Sequence, residues 1–372
     1  MRSKALLTDP HSSLPMKAFG ISRNYVRRIY MRFLDNRFAS ENLEQLIERN
    51  FRPGWEWICR HGRYYERRER TTEHTHIDEH ITSMALPVVR EAQEMNASMQ
   101  ECSYVRDILC VRRKHTLSEI AFRVPDPFRG FDPICRIYAY EPEVTRPQRT
   151  IISLPNMGLL YPYPQIFSTI AASHGFTCYV ILNTREVHHE GGYGILTKAD
   201  CPLAYSHLIR KYRLAYEIIK QQASVNPMRI GTMGASLGGL ISVGLLGIWP
   251  EVKYRVIGLA GAPLAEMMLT TKFKRFKKRI KNIFDPCGLG EFARYVHGMR
   301  VLNGRSEYAD QSKITLIMAL RDQTVPFASQ DRLRAEIGYP RSYGLPTSHC
   351  LAFLYGSRFM MALTLKEMHE NL

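Results

Sequence analysis

No apolar run in the chain approaches the ~18 residues that a bilayer-spanning helix needs, so no spanning helix is expected. Met1–Gly20 lacks the uninterrupted apolar stretch of a secretory signal, being broken by Asp9, Pro10, His11 and Pro15. The eight cysteines are scattered, and no two have the Cys-x-x-Cys spacing of a zinc site or redox pair. The expected compartment is therefore reducing and cytoplasmic. A mitochondrial address is the alternative, because Met1–Arg37 carries eight basic residues against Asp9 and Asp35. Internal repeats and low-complexity tracts are also missing, which leaves an ordinary globular chain of 372 residues, 45% hydrophobic and 10% aromatic.

Acidic residues are in deficit. Lys and Arg number 51 against 35 Asp and Glu, a net charge of +16. The excess is +5 through Thr150 and +11 beyond it, and much of it sits in Lys272–Lys281, where seven of ten residues are cations and none is an anion. Such a cluster attracts phosphate, whether on nucleic acid or on a membrane surface. Phe273, Phe276, Ile280 and Ile283 form one apolar edge beside those cations, the pattern of an amphipathic basic helix. Arg60–Arg70 also interleaves cations with Tyr64 and Tyr65, but Glu66 and Glu69 within it favour pairing on a helix surface over nucleic-acid binding.

The first ~100 residues read as a helical extension (1–104). Ile21–Leu34 has apolar residues at helical spacing with Arg23, Arg27, Arg28 and Arg32 on the other face. Ser40 caps a second helix, and Pro53-Gly54 is expected to end it. From about Val105 the pattern changes to short apolar runs alternating with helices. Expected strands are Ile120–Val124, Ile134–Tyr140, Thr150–Leu154, Thr177–Leu182, Met228–Met233, Tyr254–Leu259 and Ile314–Leu320. Expected helices include Tyr163–Ser173, Leu203–Gln222 and Leu240–Ile248. This alternation predicts an α/β domain over 105–372, a mostly parallel sheet with helices on both faces and its active site at the carboxyl ends of strands.

The sharpest motif follows strand Met228–Met233, where Gly234-Ala235-Ser236-Leu237-Gly238-Gly239 leads into the next helix. A serine between small residues at a strand-to-helix turn is held clear of the sheet edge, because only glycine or alanine avoids a clash there. A hydroxyl needs a positioned base, itself oriented by a carboxylate. Asp322 lies just past the strand Ile314–Leu320, in a turn closed by Pro326, and His349 is the only histidine between Asp322 and His369. The rival acid Asp331 falls inside a helix at Gln330–Ile337 and His369 in the terminal helix, where solvation is the expected role of both. Two histidine-rich stretches, His74–His80 and His188-His189-Glu190, lack a metalloprotease spacing and read as solvated segments.

The elbow, the strand-end Asp322 with Val325-Pro326, and His349 before the last helix together resemble the α/β-hydrolase superfamily over roughly Val105–Leu372. The resemblance implies an α/β-hydrolase fold with Ser236, Asp322 and His349 as the triad of a serine esterase that uses no metal or organic cofactor. It also implies an oxyanion hole made by the Leu237 amide and a second amide from Leu154-Pro155-Asn156-Met157-Gly158, Met157 N–H with Asn156 as the alternative. A lid insertion is implied at about 263–312, placing Phe273, Lys274, Phe276, Lys277 and Lys278 where they meet substrate or membrane. The N-terminal helices, Trp249-Pro250 and His349–Gly356 are similar to the narrower family of α/β-hydrolase domain-containing protein 18. The expected partners are a small-molecule or lipid ester and an anionic membrane surface, not nucleic acid.

Overall fold

Strands covered on both faces must be mostly apolar, and the computed structural model bears this out at the centre of its sheet. It describes residues 42–67, 104–111, 114–124, 134–143, 147–155, 162–182, 211–246, 249–262, 267, 270–272, 310–354 and 356–372. In chain order the elements are α1 (Leu43–His61), β1 (Arg63–Tyr65), β2 (Tyr104–Val111), β3 (His115–Arg123), β4 (Ile134–Pro142), β5 (Gln148–Ser153), α2 (Pro162–Ser173) and β6 (Thr177–Ile181). Then follow α3 (211–220), β7 (Val225–Ala235), α4 (Leu237–Gly244), β8 (Tyr254–Gly258), β9 (Ile314–Ala319), α5 (Phe327–Glu336), β10 (Arg341–Leu345), α6 (His349–Leu354) and α7 (Ser357–Asn371). Every residue of β6, β8 and β9 is buried.

Among the described residues the strands form one ten-stranded sheet in the order β1-β10-β9-β8-β7-β5-β6-β4-β3-β2. The stretch from β10 to β6 is parallel throughout. Antiparallel strands flank it, β4, β3 and β2 at one edge and β1 at the other. Alternate residues face opposite layers. Ile151, Val180, Met233, Val256 and Ile317 pack with α1, α2 and α7, while Ile152, Ile181 and Ile230 pack with Tyr212 and Tyr216 of α3 and with Trp249. Ile257 and Leu316 complete that second layer against Val243 of α4 and Leu333 of α5. A polar chain ties α7 across three strands: the buried Tyr254 hydroxyl donates to Glu367 Oε2 (2.6 Å) and meets Thr315 Oγ1 (2.9 Å), and the more exposed Arg341 donates to Glu367 Oε1 (3.2 Å).

Three expectations are corrected here. Helix α1 does not end at Pro53-Gly54 but continues to His61, with Pro53 inside it and Asn42 Oδ1 capping the Gln45 amide (2.8 Å). Pro53 is solvent-exposed and lacks the N–H that would close a helical bond, so its cost to the helix is one backbone bond. Burial of Leu46 and Ile58 against the core holds the helix together across it. Residues 63–65 are not helix surface either; Gly62 turns the chain and β1 pairs antiparallel with β10. Nor is His369 a freely solvated residue: Arg149 Nη1 lies 2.6 Å from its Nδ1 and donates to its carbonyl (3.1 Å). Ile21–Leu34 and Ser40 lie outside the described residues.

Candidate active site

Strand β7 delivers Ser236 at its carboxyl end with φ 56° and ψ −120°, a conformation that side chains other than glycine's rarely adopt. The surroundings show why small residues flank it. A Cβ on Gly234 would lie 2.3 Å from the Gly238 carbonyl oxygen, and one on Gly238 would lie 2.6 Å from the Leu154 oxygen. The Ser236 amide donates to Gly258 O at the end of β8 (2.9 Å), and Leu240 N–H makes the first helical bond back to Ser236 O (2.9 Å). The amides of Leu237, Gly238 and Gly239 therefore precede the hydrogen-bonded turns of α4, at the helix end that favours negative charge.

Two parallel strands bring the other groups to the same sheet edge. Strand β9 ends in the turn carrying Asp322, and β10 runs through Thr347 to His349, the first residue of α6. The two loops are tied by Leu320 N–H to Leu345 O (2.9 Å) and Arg321 N–H to Thr347 O (3.0 Å). His349 Nδ1 sits 2.6 Å from Asp322 Oδ2, and His349 Nε2 sits 2.9 Å from Ser236 Oγ. An ionised carboxylate only accepts, so Nδ1 carries the proton and Nε2 offers its lone pair to the serine hydroxyl. Asp322 and His349 are 6% and 5% exposed, whereas Ser236 is partly open to solvent. The imidazole is braced edge-on by Phe353 (5.8 Å), itself braced by Tyr163 (5.8 Å).

The Asp322 carboxylate is held on both oxygens. Oδ1 accepts from the amides of Thr324 (2.8 Å) and Val325 (3.0 Å), and Oδ2 accepts from Gln330 Nε2 (3.1 Å) as well as from the histidine. Gln330 went unnoticed in the sequence, since a single glutamine carries no motif; its place in the first turn of the helix after Val325-Pro326 was the available signal. Cys350, next to His349, has its thiol pushed up by burial and by the Asp322 charge, so it stays protonated and is a poor rival nucleophile. Asp331 pairs with Arg334 (2.8 Å) and stays out of the constellation.

Of the residues picked from the sequence, Ser236, Asp322, His349 and Leu237 converge. Asn156, Met157, Phe273, Lys274, Phe276, Lys277 and Lys278 lie outside the described residues, as do His74–His80 and His188-His189-Glu190. Among the described residues no group of three or more His, Cys, Asp or Glu side chains is arranged to hold a metal ion, and no helix is long and apolar enough to cross a membrane.

No protein-family model and no curated protein sequence matches the chain. Solved structures do. An acetyl xylan esterase from Paenibacillus sp. R4 superposes with a TM-score of 0.57 at 13% identity, covering 83% of this chain and 98% of that one. Acetyl xylan esterase 1 from Thermoanaerobacterium sp. JW/SL YS485 gives a TM-score of 0.52 at 16% identity, over 80% and 96% of the two chains. With the sheet order and the position of the elbow, these likenesses establish the α/β-hydrolase fold for this chain.

Proposed function

We propose that the protein is a serine hydrolase that cleaves carboxylic esters. The observation that carries this reading is the unbroken hydrogen-bonded chain Ser236 Oγ, His349, Asp322 on a strained strand-to-helix turn. Ser236 Oγ attacks the ester carbonyl carbon while His349 Nε2 takes its proton, and the Leu237 amide, with Met157 or Asn156 N–H, holds the oxyanion. The imidazolium formed is stabilised by Asp322. It then protonates the departing alcohol, leaving an acyl-enzyme that a water molecule, deprotonated by the same imidazole, resolves to the carboxylic acid. The two solved structures described above are acetyl xylan esterases by name, which agrees with ester chemistry. The 2.6 Å contact between Asp322 and His349 supports a working triad over a catalytically silent scaffold. Ser236→Ala is expected to abolish labelling by a fluorophosphonate probe while leaving the far-ultraviolet circular dichroism unchanged. Undiminished labelling of that variant overturns the assignment.

Within this reading we place the substrate among lipid or lysophospholipid esters, in the cytoplasm at an anionic membrane surface. The support is chemical: Lys272–Lys281 offers cations to anionic head groups, with Phe273, Phe276 and Ile280 beside them for the acyl boundary. The narrower likeness to the family of α/β-hydrolase domain-containing protein 18 belongs to the same proposal.

A further inference from the structure

Gln330 is fully buried on α5, and each polar atom of its side chain has a partner. Its Nε2 donates to Asp322 Oδ2 (3.1 Å) and to the Val325 carbonyl (2.7 Å), while its Oε1 accepts from the Ala319 amide at the end of β9 (3.0 Å). The orientation of the carboxamide is fixed. Reversed, its oxygen would face two acceptors and its NH2 group would face an N–H. We propose that Gln330 is a positioning residue for the triad, acting through Asp322 and resting on the serine-hydrolase reading above.

What Gln330 would control is the rotation of the Asp322 carboxylate. The terminal torsion of aspartate is broad and roughly two-fold, so packing alone does not select which lone pair faces the histidine. Here the Thr324 and Val325 amides anchor Oδ1, and the Gln330 N–H anchors Oδ2 together with His349 Nδ1. Four donors meet four lone-pair sites, and the carboxylate plane is determined. Without Gln330, the Oδ2 side is held by the histidine alone, which is the group it is meant to orient. The same carboxamide ties the end of β9 to the turn at Val325, so the frame of Asp322 and its side chain are set by one group. Positioning of this kind acts on the rate of the chemical step more than on substrate binding.

The test uses Gln330→Met, which keeps the volume and removes the hydrogen bonds, and Gln330→Glu, which keeps the shape. The expected result for Gln330→Met is a loss of about tenfold to a hundredfold in kcat with little change in KM. Gln330→Glu is expected to work near wild-type rate only where the new carboxyl is protonated and can still donate to Asp322. As that buried acid ionises beside Asp322, activity falls, giving a decline with rising pH that the wild type lacks. A new carboxylate beside Asp322 titrates whatever the role of Gln330, so the pH profile shows that the substituted side chain reaches Asp322. A merely structural role is recognised by an unchanged kcat in folded Gln330→Met. A second readout needs no turnover: the low-field proton resonance of His349 Nδ1–H, assigned by its loss in His349→Ala, is expected to shift or vanish in Gln330→Met. If Gln330→Met fails to fold, Gln330→Glu carries both measurements. Unchanged kcat, pH profile and resonance in the folded variants overturn the proposal. A wild-type chain that neither labels nor hydrolyses esters overturns the serine-hydrolase reading instead, and the resonance then still decides whether Gln330 orients the Asp322–His349 pair.

Discussion

Ser236 keeps a backbone conformation that glycine would adopt freely, and the strain is separable from the chemistry of its hydroxyl. Both Ser236→Ala and Ser236→Gly remove the bond to His349 Nε2, but only the glycine variant relieves the positive φ. Relief of strain outweighs the extra freedom that glycine gives the unfolded chain, so Ser236→Gly is expected to be about 1 kcal/mol more stable than Ser236→Ala. Denaturant unfolding of the two variants measures this, and a glycine variant less stable than the alanine one by about 0.4–1 kcal/mol would show the elbow to be unstrained. The three residues of the hydrogen-bonded chain were legible in the sequence because each occupies a punctuated place: a glycine-flanked turn, a strand end before Val325-Pro326, and a lone histidine before the last helix. Gln330 was not legible, because its meaning comes from three partners that only the fold assembles. His369 was misread for a related reason. Its partner Arg149 lies 220 residues away in the sequence, at the start of the parallel sheet.

At the scale of elements, the sheet was legible where strands are buried on both faces, since β6, β8 and β9 leave mostly apolar runs, interrupted only by Thr177, Arg255 and Thr315. Strand β1 left no such trace. Three residues are too few for alternation to show, and Arg63–Tyr65 is fixed by pairing with β10 and by Arg334 stacking over Tyr65 at 4.2 Å. Gly54 illustrates how a local signal can carry a different meaning in three dimensions. It reads as a helix terminator, yet it sits inside α1 because a Cβ there would lie 2.5–2.7 Å from the Cδ2, Cβ and Cγ atoms of Phe359. Phe359 is 2% exposed, stacks on Phe51 (5.3 Å) and meets Tyr343 edge-on (5.8 Å), so it has no room to yield. Helix propensity alone predicts that Gly54→Ala stabilises by about 1 kcal/mol. The contact predicts the reverse, a destabilisation of about 1–3 kcal/mol from overpacking. The sign of the change in thermal midpoint distinguishes the two, and a rise would mean that α1 shifts on α7 without cost.

For the whole molecule the relevant quantity is the net charge of +16 and its concentration in Lys272–Lys281. A surface that attracts anions everywhere binds anionic vesicles weakly and without geometry; one clustered basic segment with aromatic residues binds them at a single edge. Each lysine near an anionic surface contributes roughly 1 kcal/mol, an amount that falls off within the ~8 Å screening length of physiological salt. Changing Lys274, Lys277 and Lys278 to glutamate moves the net charge by only six units, to +10, so a diffuse attraction would be merely reduced. If the segment is the docking edge, the triple variant loses most co-sedimentation with phosphatidylserine vesicles and most hydrolysis of lipid esters presented in them. Its turnover of a short soluble ester falls far less than its lipid hydrolysis, because a soluble substrate offers no anionic head groups for those lysines to bind. Binding to neutral vesicles as strong as to anionic ones, or a variant that keeps both vesicle binding and lipid hydrolysis, removes the membrane from the proposal. The chain would then be an esterase of soluble substrates, with the same triad.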